Sequence, residues 1–224
     1  MRHLPSLLLL LVLGSGCRTA EPLASDAPWE SLFDGESLRG WRGFRRDHAP
    51  AGWQAVDGAI RRVGGGGDLV TEDQFGDFVL ELEWQVAEGG NSGLFFRVSE
   101  EEDAVWRTGP EMQILDDANH PDGADPRTSA GSNYALHAPR EDVALGPGEW
   151  NRVRLEVRGP RVRHWLNGVL VVEYELWSED WEKLVAASKF GAMPGYGRRS
   201  RGHIALQDHG DPVAFRNLRV QRLD

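Results

Sequence analysis

His203-Ile204-Ala205-Leu206-Gln207-Asp208-His209-Gly210, entered through Gly202, alternates apolar and polar residues as a β-strand does. Successive strand side chains point to opposite faces, so Ile204 and Leu206 share one face and His203, Ala205, Gln207 and His209 the other. Two imidazoles and an amide in one row suit the floor of a site for a polar ligand. A solvated strand face with incidental histidines is the competing reading.

The same alternation recurs outward from this stretch. Residues 53–56 and 59–62 flank Asp57-Gly58, and residues 161–166 and 169–174 flank Asn167-Gly168. Such pairs close two-residue hairpins because both turn positions need positive φ. Strands are also predicted over 78–86, 93–98, 111–115, 150–158 and 213–220. One helix is predicted over 179–187, with Ser178 as N-cap, Glu179 and Asp180 in the first turn, and Trp181, Leu184 and Val185 as its apolar stripe. Many short strands without βαβ alternation give an all-β, antiparallel sandwich.

The chain has 224 residues, 40% of them hydrophobic, including 9 Trp, enough for one sizeable core. Its net charge of −10 argues against nucleic acid as a partner, and against binding to an anionic membrane by charge. Arg2 and His3 precede an apolar run from Leu7 to Leu13, followed by Gly14-Ser15-Gly16-Cys17. That run is too short to span a bilayer and has the layout of a signal peptide. We expect a lipoprotein-type signal over 1–17 ending at Cys17, the acylated residue, with an ordinary secretory peptide as the alternative. A flexible tether over 18–28 and one domain over 29–224 follow. The product is exported to the cell envelope and touches the membrane only through its lipid anchor. Cys17 is the only cysteine, so no intramolecular disulfide forms.

Several segments carry candidate site chemistry. In Asn91-Ser92-Gly93-Leu94-Phe95-Phe96-Arg97, Leu94 and Phe96 are expected in the core and Arg97 on the opposite face as a fixed cation; a carboxylate-paired arginine is the competing reading. Asn91 is a candidate ligand contact or only part of a turn. In Glu111-Met112-Gln113-Ile114-Leu115-Asp116, Met112 and Ile114 are expected in the core, with Glu111 and Gln113 outward and Asp116 closing the strand. A retaining glycosidase needs two carboxyl groups about 5–5.5 Å apart, and the amide of Gln113 serves as neither. Glu111 alone remains a candidate general base. The loop from Asp116 through Asn119 and His120 to Gly123 is rich in oxygen ligands and could hold a divalent cation, although its spacing matches no defined metal motif. No cofactor is certain and no metal ligand is assigned. Gly64 to Gly67 lacks the ending of a phosphate loop and reads as a flexible lip. Lys189 leads into a glycine-rich basic segment. Most tryptophans are expected in the core, with stacking on sugar rings as their other use.

Taken together these segments resemble the 3-keto-disaccharide hydrolase domain family. The matching pieces include Ser31-Leu32-Phe33-Asp34-Gly35, Gly66-Gly67-Asp68-Leu69, Asn91-Ser92-Gly93, Gly131-Ser132-Asn133-Tyr134, Gly148-Glu149-Trp150-Asn151, His164 to Gly168 and Gly202 to Gly210. The resemblance implies a concanavalin A-like jelly roll of the lectin and glucanase type, in exported and often lipid-anchored proteins. It also implies action on 3-keto-glycosides made by a partner sugar 3-dehydrogenase. A ketone at C3 acidifies the C2 proton, so one base gives an enolate and elimination expels the C1 substituent. On this reading Glu111 or His209 is the base, and Arg97, Lys189 or a bound cation stabilises the enolate. Gln113, Gln207 and Tyr134 hold hydroxyls, Asn91 and Asp116 also bind the substrate, and His120 and His203 are further contacts; Asp208 orients loops. A non-catalytic carbohydrate-binding sandwich and an ordinary sandwich-type glycanase are the alternatives.

Overall fold

A computed structural model describes residues 27–224. The expected signal segment and the acyl site at Cys17 lie outside the described residues, as does the tether but for its last two positions. The strands are β1 (Trp29–Ser31), β2 (Trp41–Gly43), β3 (Trp53–Val56), β4 (Ala59–Arg62), β5 (Leu69–Thr71), β6 (Phe78–Val86), β7 (Asn91–Val98), β8 (Glu111–Leu115), β9 (Asn151–Arg158), β10 (Arg161–Leu166), β11 (Val169–Glu175), β12 (His203–Leu206) and β13 (Val213–Arg222). They form an antiparallel sandwich. The large sheet runs β11-β10-β9-β6-β13-β4-β3, with β1 also on β13, and the small sheet runs β2-β5-β12-β7-β8.

Both expected hairpins form. Asp57 and Gly58 have φ of 52° and 71°, and Asn167 and Gly168 have 50° and 86°, which matches the right-handed twist of the flanking strands. The helix α1 spans Glu179–Ala187, and Ser178 Oγ accepts the Trp181 N–H. Trp181 and Val185 face the core, whereas Leu184, expected beside them, is exposed. Asn91 and Ser92 are already strand rather than a turn into it.

The interior follows the pleat. Phe78, Leu80, Leu82, Trp84 and Val86 of β6 meet Leu94, Phe96, Met112, Ile114, Ile204 and Leu206 of the small sheet in one cluster. The outer face of the large sheet is tiled by ion pairs, with Glu81 bridging Arg154 and Arg219 and Glu83 bonded to Arg216.

The outer face of the small sheet departs from the expected half-buried pattern. Every residue of β7, β8 and β12 is buried. Part of this face carries a second apolar cluster, Val70, Phe95, Val98, Val105 and Ala205, over which Phe44 and Trp106 lie. The free edge of β8 is covered by the chain itself, as Gln113 N–H donates to Ser132 O and Tyr134 N–H to Glu111 O. Covering an edge in this way removes a template for unwanted strand pairing and roofs one side of a groove.

Candidate active site

Strand register puts the polar residues together. Leu206 lies opposite Leu69 and Leu94, Gln207 N–H donates to Gly93 O, and Gly93 lies opposite Gln113. Asp68, Gln207, Gly93 and Gln113 therefore form one row across the outer face of the small sheet. Val70, Ala205, Phe95 and Glu111 form the next. Glu111 leans into the gap in the first row, and a Cβ at Gly93 would sit 2.2 Å from Glu111 Oε1.

Glu111 is 6% exposed, so its carboxyl is nearly dry. Burial pushes its pKa up to about 8; nearby Lys189 opposes this, and Asp68 and Asp122 reinforce it. Lys189 Nζ lies 4.3 Å from the centre of the Tyr134 ring and 5.9 Å from that of Trp106. The Tyr134 hydroxyl donates to Asp122 Oδ2 at 3.3 Å, and burial pushes it up to about 12. The amide oxygens of Asn91, Gln113 and Gln207 have no partner in this wall. Gln113 Nε2 donates to Thr128 O, which fixes the amide plane. These oxygens point to a ligand that brings hydroxyl donors, since a buried acceptor left unsatisfied is costly.

One end of the row is rimmed by histidines. The rings of His120 and His209 are edge-to-face at 6.2 Å, His120 Nε2 lies 3.5 Å from Asn91 Nδ2, and His209 Nδ1 is 3.9 Å from Asp211. Asn91 stands two residues from Gly93, which is about 6.6 Å along a strand. His209 thus edges the groove, exposed, whereas Glu111 lies in its floor.

Three expected contacts lie elsewhere. Arg97 has φ 51° at a bulge, where the pairing jumps from Phe95–Ala205 to Val98–His203. The extra residue reverses the alternation. Val98 joins the outer cluster, and Arg97 turns away to donate to Gly76 O, Gly159 O and Asp77. It is the carboxylate-paired arginine of the competing reading and is no oxyanion cation. His203 is buried with both ring nitrogens engaged, Nδ1 with Thr71 O at 2.7 Å and Nε2 with the Gln74 amide at 3.1 Å, which leaves nothing for a substrate. Asp116 accepts from Gly89 N–H and Asn119 Nδ2 and so ties its own loop to the turn between β6 and β7.

The loop carboxylates expected to take a cation have similar structural bonds; Asp117 Oδ1 accepts from Ala130 N–H. No group of three or more His, Cys, Asp and Glu is arranged to hold a metal among the described residues. Asp208 orients loops as expected, since it pairs with Arg62 and accepts from Gly66 and Gly67 N–H, fixing the glycine lip.

Sequence reading overlooked Asp68 as a site residue. It accepts the Asp208 N–H at 2.9 Å, and burial raises it to about 6. The only signal was its place one residue before a short strand whose partner carries Gln207. A cleft of about 910 Å³ lies on the outer face of the large sheet between Trp29 and Trp165. Its carboxylates are consumed, Glu81 and Glu83 by arginines and Asp34 by the backbone of Glu36 and Ser37, so the buried, unpaired groups of the small sheet mark the chemistry.

Residues 28–221 match the family described as the 3-keto-alpha-glucoside-1,2-lyase-like domain. The chain belongs to that family. A 3-keto-disaccharide hydrolase of Bacteroides thetaiotaomicron is 36% identical to it over 87% of this chain and 78% of the relative. A crystal structure of a candidate glycosyl hydrolase from Parabacteroides distasonis superposes with a TM-score of 0.83 at 34% identity, over 88% of this chain and 94% of that one. The β-glucanase of Bacillus licheniformis shares the fold alone, at a TM-score of 0.50 and 12% identity over 89% of this chain and 99% of the other. Family membership and the hydrolase relative make the chain a glycoside-cleaving enzyme of the expected class, on the expected jelly-roll sandwich.

Proposed function

We propose that the chain cleaves the glycosidic bond of 3-keto-glycosides, 3-keto-disaccharides among them, by removing the C2 proton and eliminating the C1 substituent. The observation that carries this reading is Glu111: a buried carboxyl with its pKa raised to about 8, beside a cation and with the amide of Gln113, rather than a second carboxyl, at the next outward position of its strand. A C–H proton next to a ketone needs one strong, dry base and a positive charge near the carbonyl oxygen, whereas direct displacement at C1 needs two carboxyl groups about 5–5.5 Å apart.

The residues take the following parts. Glu111 removes the proton, and Lys189 faces the charge that develops at C3. Asn91, Gln113 and Gln207 accept hydrogen bonds from ring hydroxyls, while His209, at the rim, contacts the leaving sugar. Water adds at C1 in a hydrolase and stays out in a lyase. The export signal at Cys17 suits an enzyme of the cell envelope that is supplied by a sugar 3-dehydrogenase.

The test is an assay of the domain on 3-keto-trehalose, 3-keto-sucrose and the unoxidised sugars, with and without chelator. Release from the oxidised sugars only is expected. Turnover of the unoxidised sugars, or of none, overturns the reading, and inhibition by chelator would move the cationic role from Lys189 to a metal. Glu111→Gln should lower turnover by about 10²–10⁴ and retain sugar binding, whereas His209→Ala should mainly raise KM.

A further inference from the structure

Lys183 and Lys189 are the only lysines of the chain; every other basic side chain apart from histidine is arginine. Lys183 lies on the exposed face of α1 and pairs with Glu179. Lys189 is set apart in two ways. Its amine lies against the rings of Tyr134, Trp106 and its neighbour Phe190, at 4.3, 5.9 and 5.3 Å from their centres. It makes no ion pair among the described residues, while arginines take up the surface carboxylates.

A site that needs only positive charge is served at least as well by arginine, which stays protonated and binds oxygen with a planar fork. An amine differs in one chemical respect: once neutral, it is a nucleophile toward carbonyl carbon. Burial holds this group below the ordinary lysine range against the pull of Glu111 and Asp122, while the ring faces keep the amine in place beside them. Lys189 is an exposed residue, so its side chain is open to an incoming ketone.

We propose that Lys189 is a covalent catalyst that condenses with the C3 ketone of the substrate to form an iminium, the positive charge required beside Glu111. The inference rests on the 3-keto-glycoside reading. The neutral amine adds to C3, and the carbonyl oxygen leaves as water after taking up one proton from the nitrogen and one from solvent. The Glu111 carboxylate takes the C2 proton, and the C–H electron pair forms the C2=C3 bond of an enamine and neutralises the nitrogen. The enamine then reforms C=N⁺ while its carbon pair becomes C1=C2. The C1–O bond breaks, and the leaving oxygen takes its proton back from Glu111. Water hydrolyses the iminium, restoring the ketone and returning a proton to solvent.

The test uses the folded enzyme with 3-keto-trehalose in ¹⁸O-water, with and without sodium cyanoborohydride. One ¹⁸O at C3 of the released keto-sugar per turnover is expected, above the exchange seen without enzyme. With the reductant, a sugar adduct should appear on the peptide that contains Lys189. Lys189→Arg, checked for its Tm, should lose turnover by about a hundredfold or more, since arginine preserves the charge but cannot form the bond. Turnover by the wild type with unlabelled C3, no adduct, and Lys189→Arg within a few fold overturns the covalent step and leaves the keto-glycoside reading standing. Absence of turnover on every keto-disaccharide removes that reading, and the covalent step with it.

Discussion

The carboxyl of Glu111 occupies the space that a side chain at Gly93 would fill, 2.2 Å from where its Cβ would stand. One strand supplies the acid and its neighbour supplies the vacancy, so the position of the base depends on a residue with no functional group. Gly93→Ala should therefore act as a catalytic mutation. The added methyl also meets the Phe95 ring at 2.9 Å, so Glu111 must swing outward. Misplacement of a reacting group by about 1 Å costs roughly a hundredfold. We expect a loss of that order in kcat, with Tm lower by a few degrees. Steady-state kinetics beside a thermal melt checks this, and unchanged kcat would mean that Glu111 is not the base.

With Glu111 as base, activity follows its ionised form. Its pKa is raised to about 8, so kcat/KM should climb with pH, about tenfold per unit below that value, and level off above it. Stability has the opposite slope. The unfolded chain releases this proton near 4.5 and the folded protein keeps it to about 8, so the folded state binds more protons across that window and loses stability as pH rises through it. Glu111→Gln should remove that part of the slope, giving a higher Tm than wild type at pH 8 and above together with a kcat lower by about 10²–10⁴. Melts from pH 5 to 9 distinguish this from simple damage, which would lower Tm throughout.

Asp68 adds negative charge near Glu111 and helps to raise its pKa. Asp68 is itself raised only to about 6, so it is ionised where Glu111 titrates. Asp68→Asn should move the midpoint of the pH–rate profile downward by a fraction of a unit, while the amide oxygen can still accept the Asp208 N–H. A profile that stays in place would separate the two carboxyls.

Arg97 should behave as a structural residue. Arg97→Leu takes the guanidinium donor from Gly76 O and Gly159 O and leaves Asp77 with only the Gly159 N–H among the described residues. A buried hydrogen-bonded charge is lost, and we expect a cost of about 2–3 kcal/mol, with kcat per folded molecule within about twofold of wild type. Urea denaturation alongside active-site titration tests the split. A large fall in kcat without loss of stability would return Arg97 to the site.

The alternation of His203 to Gly210, the two hairpin turns and the capped helix were legible because each is a local rule. Pleat period, turn dihedrals and a capping hydroxyl all act within a few residues. The same rules put Glu111, Gln113 and Gln207 on one side of their strands. They could not reach Asp68, which belongs to the site through pairing with a strand nearly 140 residues away. Local alternation also misled at Arg97, where a single bulged residue reverses the faces of its strand, and it could not show that Thr71 O and the Gln74 amide claim the His203 ring.

The sequence by itself determined the sandwich, the missing second carboxylate beside Glu111 and the scarcity of lysine. Only the tertiary structure decided that the small sheet is roofed over, that Glu111 is dry and seated against Gly93, and that Lys189 rests among aromatic rings. Burial and cross-strand placement come from contacts between distant segments. Those contacts, rather than residue type, make a strand glutamate a strong base.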